Sequence, residues 1–149
     1  MKGVHFAMDC LKQQNKPVAG KDPLANAHIE SHILEAEVKA TGKNVVVIGG
    51  GDTGSDCVGT SNRHAAKSIT QFELLPQPPE GRTPFMPWPT YPMTMKVTSS
   101  HEDGCERGFA IGTKAFIGDD DGNLKALKTV ELEWKITEAG RHASIVEKE

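Results

Sequence analysis

The sequence predicts an α/β fold: a parallel β-sheet with flanking helices, extended by an antiparallel β-meander. Three observations predict it. Val45, Val46, Val47 and Ile48 form an unbroken apolar run rich in β-branched side chains. Such a run reads as a strand buried on both faces, the usual state of the first strand of a parallel sheet. The run stops at Gly49-Gly50-Gly51-Asp52-Thr53-Gly54, a helix-compatible stretch over 55–67 follows, and a second strand-like run occupies 68–75. Farther on, 109–118, 124–136 and 141–146 read as strands, joined by Asp119-Asp120-Asp121-Gly122-Asn123 and Glu138-Ala139-Gly140, both turn signals.

Taken in order, residues 3–14 place Val4, Ala7, Met8 and Leu11 at the spacing of one helical face, so a short amphipathic helix is expected there. Such a helix either covers this domain's own core or docks on a neighbouring domain. Residues 15–26 carry Pro17, Gly20 and Pro23 among polar residues and read as a connector. A second helix is expected over 27–40, with Ile29, Ile33, Leu34 and Val38 apolar and Gly42 ending it. His28 and His32 stand four apart on that helix, but no third ligand accompanies them and Ile29 occupies the position where a zinc helix carries glutamate. No metal site is assigned.

The glycines carry the chemistry. Gly49, Gly51 and Gly54 have the spacing G-x-G-x-x-G. Between a strand and a helix, the first glycine permits the tight turn, the second lets a pyrophosphate approach the backbone, and the third lets the helix pack close to the strand. A helix starting near Asp52 or Thr53 presents unpaired N–H groups and its positive dipole end to phosphate. Glu73 lies nineteen residues past Gly54, close to the spacing expected of a carboxylate that grips an adenosine ribose. Gly49, Gly50, Gly51, Asp52, Thr53 and Gly54 are therefore the candidates for the pyrophosphate and nicotinamide half of a dinucleotide. Glu73, with Arg63 and His64 from the end of the intervening helix, is the candidate for the adenosine half. No residue stands out as a general acid, base or nucleophile, so no catalytic residue is assigned. Cys57, inside the helix, reads as a small buried hydrophobe rather than a redox thiol.

The remaining stretches carry less chemistry. Residues 76–92 hold seven of the chain's nine prolines and cannot form a helix or an interior strand, yet Phe85, Trp88 and Tyr91 give this loop apolar surface to bury. Residues 101–108 read as a loop or a frayed helix. The acidic run at 119–121 fails as a calcium loop, because the sixth position is Leu124 and the twelfth is Val130.

Composition narrows the class. With 149 residues, 37% hydrophobic and 25% charged, the chain suits one globular unit that needs no disulfide or metal to fold. A net charge of −3 with dispersed basic residues argues against a nucleic-acid partner. No run approaches a membrane span and no secretory leader is visible, so a cytoplasmic location is expected. Three scattered cysteines fit a reducing compartment, and they are too few for an iron–sulfur cluster.

At the glycines the chain also becomes recognisable. The string GKNVVVIGGGDTGSDCVGTSNRHAAKSITQFELLPQPPE, followed by Pro87-Trp88-Pro89 and by Thr113-Lys114-Ala115-Phe116-Ile117-Gly118-Asp119, closely resembles the small (beta) subunit of glutamate synthase, and the resemblance runs from about residue 3 to about residue 134. It implies the Rossmann-like NAD(P)H-binding domain of a two-dinucleotide flavoprotein, with NADH or NADPH as cofactor. It implies residues 1–42 as an N-terminal helical segment at the junction with the flavin domain, and 43–149 as the NAD(P)H-binding domain. It further implies that FAD and iron–sulfur clusters belong to other domains of the same subunit, and that the glutamate synthase large subunit is the partner that makes glutamate. This chain is then expected to be an excised domain, incomplete for catalysis alone. Two alternatives remain: the NAD(P)H domain of another iron–sulfur flavoprotein, and a non-catalytic interaction domain built on the same scaffold.

Overall fold

The computed structural model describes residues 1–18, 38–82, 94–137 and 140–146. The expected helix over 27–40, with His28 and His32, lies almost wholly outside the described residues, as do Trp88 and Tyr91. In order, the elements are α1 (Ala7–Val18), β1 (Asn44–Ile48), α2 (Asp52–Arg63), β2 (Ser68–Phe72), α3 (Ser99–Glu102), β3 (Glu106–Gly108), β4 (Ile111–Gly118), β5 (Leu124–Thr137) and β6 (Gly140–Val146).

They form two sheets. One is parallel, in the order β1-β2-β3; the other is the expected antiparallel meander, β4-β5-β6. In the parallel sheet Asn44 to Ile48 pair in register with Ser68 to Phe72, and Thr70 to Phe72 pair with Glu106 to Gly108. β2 is thus the central strand. The stretch 101–108, expected to be a loop or frayed helix, supplies the end of the short α3 and, against expectation, the third parallel strand. Three residues are too few to show a hydrophobic period, and β3 is held by its ladder to β2 rather than by its own propensity.

α2 packs on this sheet and buries Cys57 and Val58 against Val47 and Ile69, with Ala7 and Leu11 of α1 closing the cluster. The expectation that β1 is buried on both faces is corrected. Val47 points into the core, whereas Val46 and Ile48 are 42% and 52% exposed, because among the described residues nothing covers the second face. α1 is also displaced from its expected span: it starts at Ala7 and runs to Val18, carrying Pro17 in its last turn. Gln13 of α1 holds both backbone groups of Val38 (2.8 and 3.1 Å), tying the approach to β1 onto the helix.

The two sheets are joined at the exit of β2. Glu73 N–H donates to Gly108 O (2.8 Å), Ile111 N–H to Glu73 O (3.0 Å) and the Trp134 indole to Leu74 O (2.9 Å). The β4–β5 turn is closed by Asp119, whose carboxylate accepts from Asp121 and Asn123, with Gly122 in the left-handed region (φ +78°). These bonds hold the carboxyl of Asp119 below its ordinary range.

The core also settles the character of Cys57. Burial, followed by the neighbouring Cys10 and Asp56, pushes its thiol up to about 11. Only about a thousandth of Cys57 is then thiolate at pH 8. Iodoacetamide at pH 8, with peptide mass spectrometry, should modify Cys57 at least about tenfold more slowly than the half-buried Cys10 and Cys105. Equal rates would mean that the α1–α2 core opens on the labelling timescale.

Candidate functional site

The chain leaves β1 through a turn that only glycine fits comfortably. Gly49 has φ +117° and donates its N–H to Phe72 O (2.8 Å), so the turn is pinned to the end of β2. Gly51 caps α2 in extended conformation (φ −76°, ψ −178°) without a side-chain capping bond. The first N–H groups of α2 therefore lack the partner that a serine or aspartate cap would give them. A Cβ on Gly51 would meet nothing within 4 Å, and that open space belongs to a cavity of about 130 Å³. It is lined by Gly51, Asp52 and Ser55 together with Lys96, Thr98, His101 and Arg107.

A larger neighbouring cavity, about 370 Å³, shares Gly50, Pro78 and Arg107 with the first and is also lined by Glu73, Phe109 and Trp134. Glu73 lies against the turn: a Cβ on Gly50 would collide with its carboxylate. One of its oxygens accepts the N–H of Leu75 (3.1 Å). Arg107 donates to Lys96 O (2.9 Å) and stands over the Phe109 ring at 5.1 Å.

Gly54 has the third role read from its spacing. A Cβ there would strike Gly49 O and come within 2.8 Å of Gln71 Nε2, so α2 rests directly on the turn and on β2. Gln71, 1% exposed, donates from Nε2 to Gly49 O (2.9 Å) and meets His101 Nε2 through its Oε1 (2.9 Å). His101 Nδ1 accepts the N–H of Thr98 (3.2 Å), and Thr98 Oγ1 in turn lies 2.6 Å from Ser55 Oγ. A polar ring thus encloses the glycine turn.

No family model matches the chain. Among curated proteins it is 43% identical over 132 residues to the glutamate synthase [NADPH] small chain of Mycobacterium tuberculosis, covering 89% of this chain and 26% of that one. It is 35% identical over 148 residues to the glutamate synthase [NADPH] small chain of Bacillus subtilis, covering 95% and 28%. It is also 40% identical over 146 residues to the glutamate synthase [NADH] of Saccharomyces cerevisiae, covering 94% and 6%. The chain is a relative of the glutamate synthase small chains. It spans about a quarter of the length of the small chains it matches.

Within this glutamate synthase relative, the site residues read from the sequence divide into two groups. Gly49, Gly50, Gly51, Asp52, Thr53, Gly54 and Glu73 come together at the C-terminal ends of β1 and β2. Arg63 and His64 do not join them. A helix of twelve residues is about 18 Å long, and they end it on the side away from the turn. There Arg63 bonds Thr60 Oγ1 (3.1 Å), and His64 Nε2 lies 2.7 Å from Gln14 Oε1 of α1. The cations that line the cavities are Arg107 and Lys96, which carry no motif; Arg107 belongs to the unforeseen β3. Among the described residues no three His, Cys, Asp or Glu side chains gather as a metal site.

The closeness of Gly54 to Gly49 O has a stability consequence. Gly54→Val should cost about 1–3 kcal/mol, the range for overpacking a tight contact, measured by urea unfolding. An unchanged midpoint would mean that α2 can move off β2 freely.

Proposed function

We propose that this chain is the NAD(P)H-binding domain of a glutamate synthase small subunit, and that it positions a nicotinamide for hydride transfer to a flavin on a neighbouring domain. The observation that carries the reading is the uncapped N-terminus of α2 opening, past a glycine with no obstacle to a ligand, into a cavity edged by Arg107 and Lys96. Backbone N–H groups, a helix dipole and two cationic residues suit a pyrophosphate. The residues therefore fit a dinucleotide: Gly49 to Gly54 would hold its phosphates, and Glu73 its adenosine ribose. The bound nicotinamide supplies the hydride, and the protein supplies orientation and electrostatics.

The wider assignment follows from the relatives, which are glutamate synthase subunits. In this reading 43–149 is the nucleotide domain, and 1–42 meets the flavin domain of the same subunit. Phe6, just before α1 and 80% exposed, and Met8 of α1 leave apolar surface for that contact, while Ala7 and Leu11 turn inward. FAD and iron–sulfur clusters belong to the rest of the subunit, and the electrons go on to the large subunit that makes glutamate. No helix among the described residues is long and apolar enough to cross a membrane, and three free cysteines suit the cytoplasm.

The relatives' names include both NADPH and NADH, so the choice of dinucleotide rests on the site. Glu73 lies directly on the turn, where it can accept from both ribose hydroxyls and meets a 2′-phosphate as like charge. Arg107 already spends a guanidinium N–H on Lys96 O. NADH is therefore the favoured ligand.

Fluorescence titration tests both parts. The chain should bind NADH more tightly than NADPH, and Glu73→Ala should weaken NADH while strengthening NADPH. Gly51→Val should abolish binding of both and leave the fold intact, because its side chain fills the space the pyrophosphate needs. Wild-type affinity in Gly51→Val would remove the basis of the assignment. A tenfold preference of the wild type for NADPH would reverse the role of Glu73.

A further inference from the structure

We propose that His101 is a positioning residue for the glycine turn: acting through Gln71, its ring fixes the Gly49 carbonyl and so aims the N–H groups that follow it at an anionic ligand. The direction of every hydrogen bond in the ring can be assigned from chemistry. The Gly49 carbonyl only accepts, so the Gln71 amide must present its NH₂ there, at 2.9 Å. Its Oε1 then faces His101 Nε2 at 2.9 Å, so Nε2 must carry the ring proton. Nδ1 is left bare and accepts the Thr98 N–H at 3.2 Å. It also accepts the Thr98 hydroxyl at 2.9 Å, and that hydroxyl accepts in turn from Ser55 at 2.6 Å. Donors therefore point one way, from Ser55 on α2 through Thr98, His101 and Gln71 to Gly49.

Only a neutral imidazole completes this chain. A proton on Nδ1 would face the Thr98 N–H, donor against donor, and would reverse both hydroxyls. Gln71 is 1% exposed, so it cannot exchange His101 for bulk water without opening the sheet–helix contact. Of the charged groups around the ring, Arg107 acts in the same sense. Arg107 of β3, Lys96 of the preceding segment and Asp52 of α2 share its cavity. Arg63 of α2 approaches the Gly59–Ser100 contact, and Glu102 and Cys105 are near in the chain. Burial first, and Arg107 second, hold the His101 pKa below its ordinary value of 6.5. The folded state therefore favours the neutral ring, and the chain of bonds is complete above pH 6.5 and lost as the pH falls through the lowered value. An imidazolium would itself attract an anion, but both ring nitrogens point at protein partners and none at the cavity space beside Gly51.

This inference rests on the dinucleotide reading for its ligand and on the free protein for its geometry, and two measurements separate these. In the ligand-free 149-residue chain, the amide NMR signals of Gly50 and Gly51 should titrate with the same midpoint as the His101 ring, and should stop doing so in His101→Gln. Glutamine keeps the distal N–H donor for Gln71 and has no proton to gain. His101→Asn keeps the acceptor for Thr98 but cannot reach Gln71. At pH 7.5 the Asn variant should bind NADH about tenfold more weakly, whereas the Gln variant should bind like the wild type. As the pH falls from 7 through the lowered His101 pKa the wild type should lose affinity, and the Gln variant should lose none. Gly50 and Gly51 signals that ignore His101, an Asn variant with wild-type affinity, or wild-type binding that tightens in acid would each overturn the proposal. If the wild type binds neither NADH nor NADPH, the dinucleotide reading fails, and the NMR titration still decides whether His101 governs the turn.

Discussion

The buried amide of Gln71 is the constraint around which the parallel half of the molecule is arranged. An amide shut away from water costs about 1–3 kcal/mol for each polar end left unpaired, so both ends need partners that cannot drift. One partner is the Gly49 carbonyl, which exists in the right place only because a positive φ turns the chain there. The other is His101, which requires the short α3 to stand beside the sheet. α3 reaches that position by resting on α2 at Gly59, where a Cβ would come within 2.5 Å of Ser100 Oγ. Glycine is thus needed at 49 for its positive φ, and at 54 and 59 for close approaches around one side chain's surroundings. A larger residue at any of them would move an element that Gln71 depends on.

The same arrangement explains why the interior near the site is polar. Ser55, Thr60, Ser61 and Gln71 are buried beside Val47, Cys57, Val58 and Ile69. Small hydroxyls let α2 approach β1 and β2 closely, and they can bond locally to carbonyls or to one another. Driving force comes from the few apolar contacts between α1, α2 and the sheet; geometry comes from the polar ring. A helix held this way has a fixed N-terminus, which is what a site made of backbone N–H groups requires.

Much of this was legible in the sequence, and the parts that were not share a cause. The run Val45–Ile48, the glycine spacing and the Asp-Gly turn are local signals, and the strand, the start of α2 and the meander followed from them. Three features are not local. β3 has only three residues and exists because β2 offers it a ladder. Burial of Val46 and Ile48 depends on a second layer, which no property of the strand itself can provide. Gln71 sits mid-strand as an ordinary polar residue, and its importance appears only when Gly49, Gly54 and His101 surround it. The span of α1 differs from the expected 3–14 because Pro17 reads as a break, whereas the helix runs through it and ends at the next residue.

Arg63 and His64 show how nearness in sequence differs from nearness in the fold. They lie closer in sequence to Glu73 than the glycines do, and their charge suits phosphate, yet sequence distance along a helix translates into distance across the sheet. In a parallel sheet every strand-to-helix turn falls on one edge, so ligand-facing residues must be sought just past the strands' C-terminal ends. Gly49 to Gly51 follow β1, Glu73 follows β2, and Arg107 and Phe109 belong to the end of β3. Arg63 and His64 end the helix that returns to the opposite edge, where their partners Thr60 and Gln14 belong to the packing of α1 on α2. The rule that sets Glu73 beside the turn also sets Arg63 and His64 at the opposite edge, and it would have placed Arg107 near the turn had β3 been visible. Position relative to the strand ends, more than residue type, decides which charges stand beside this turn.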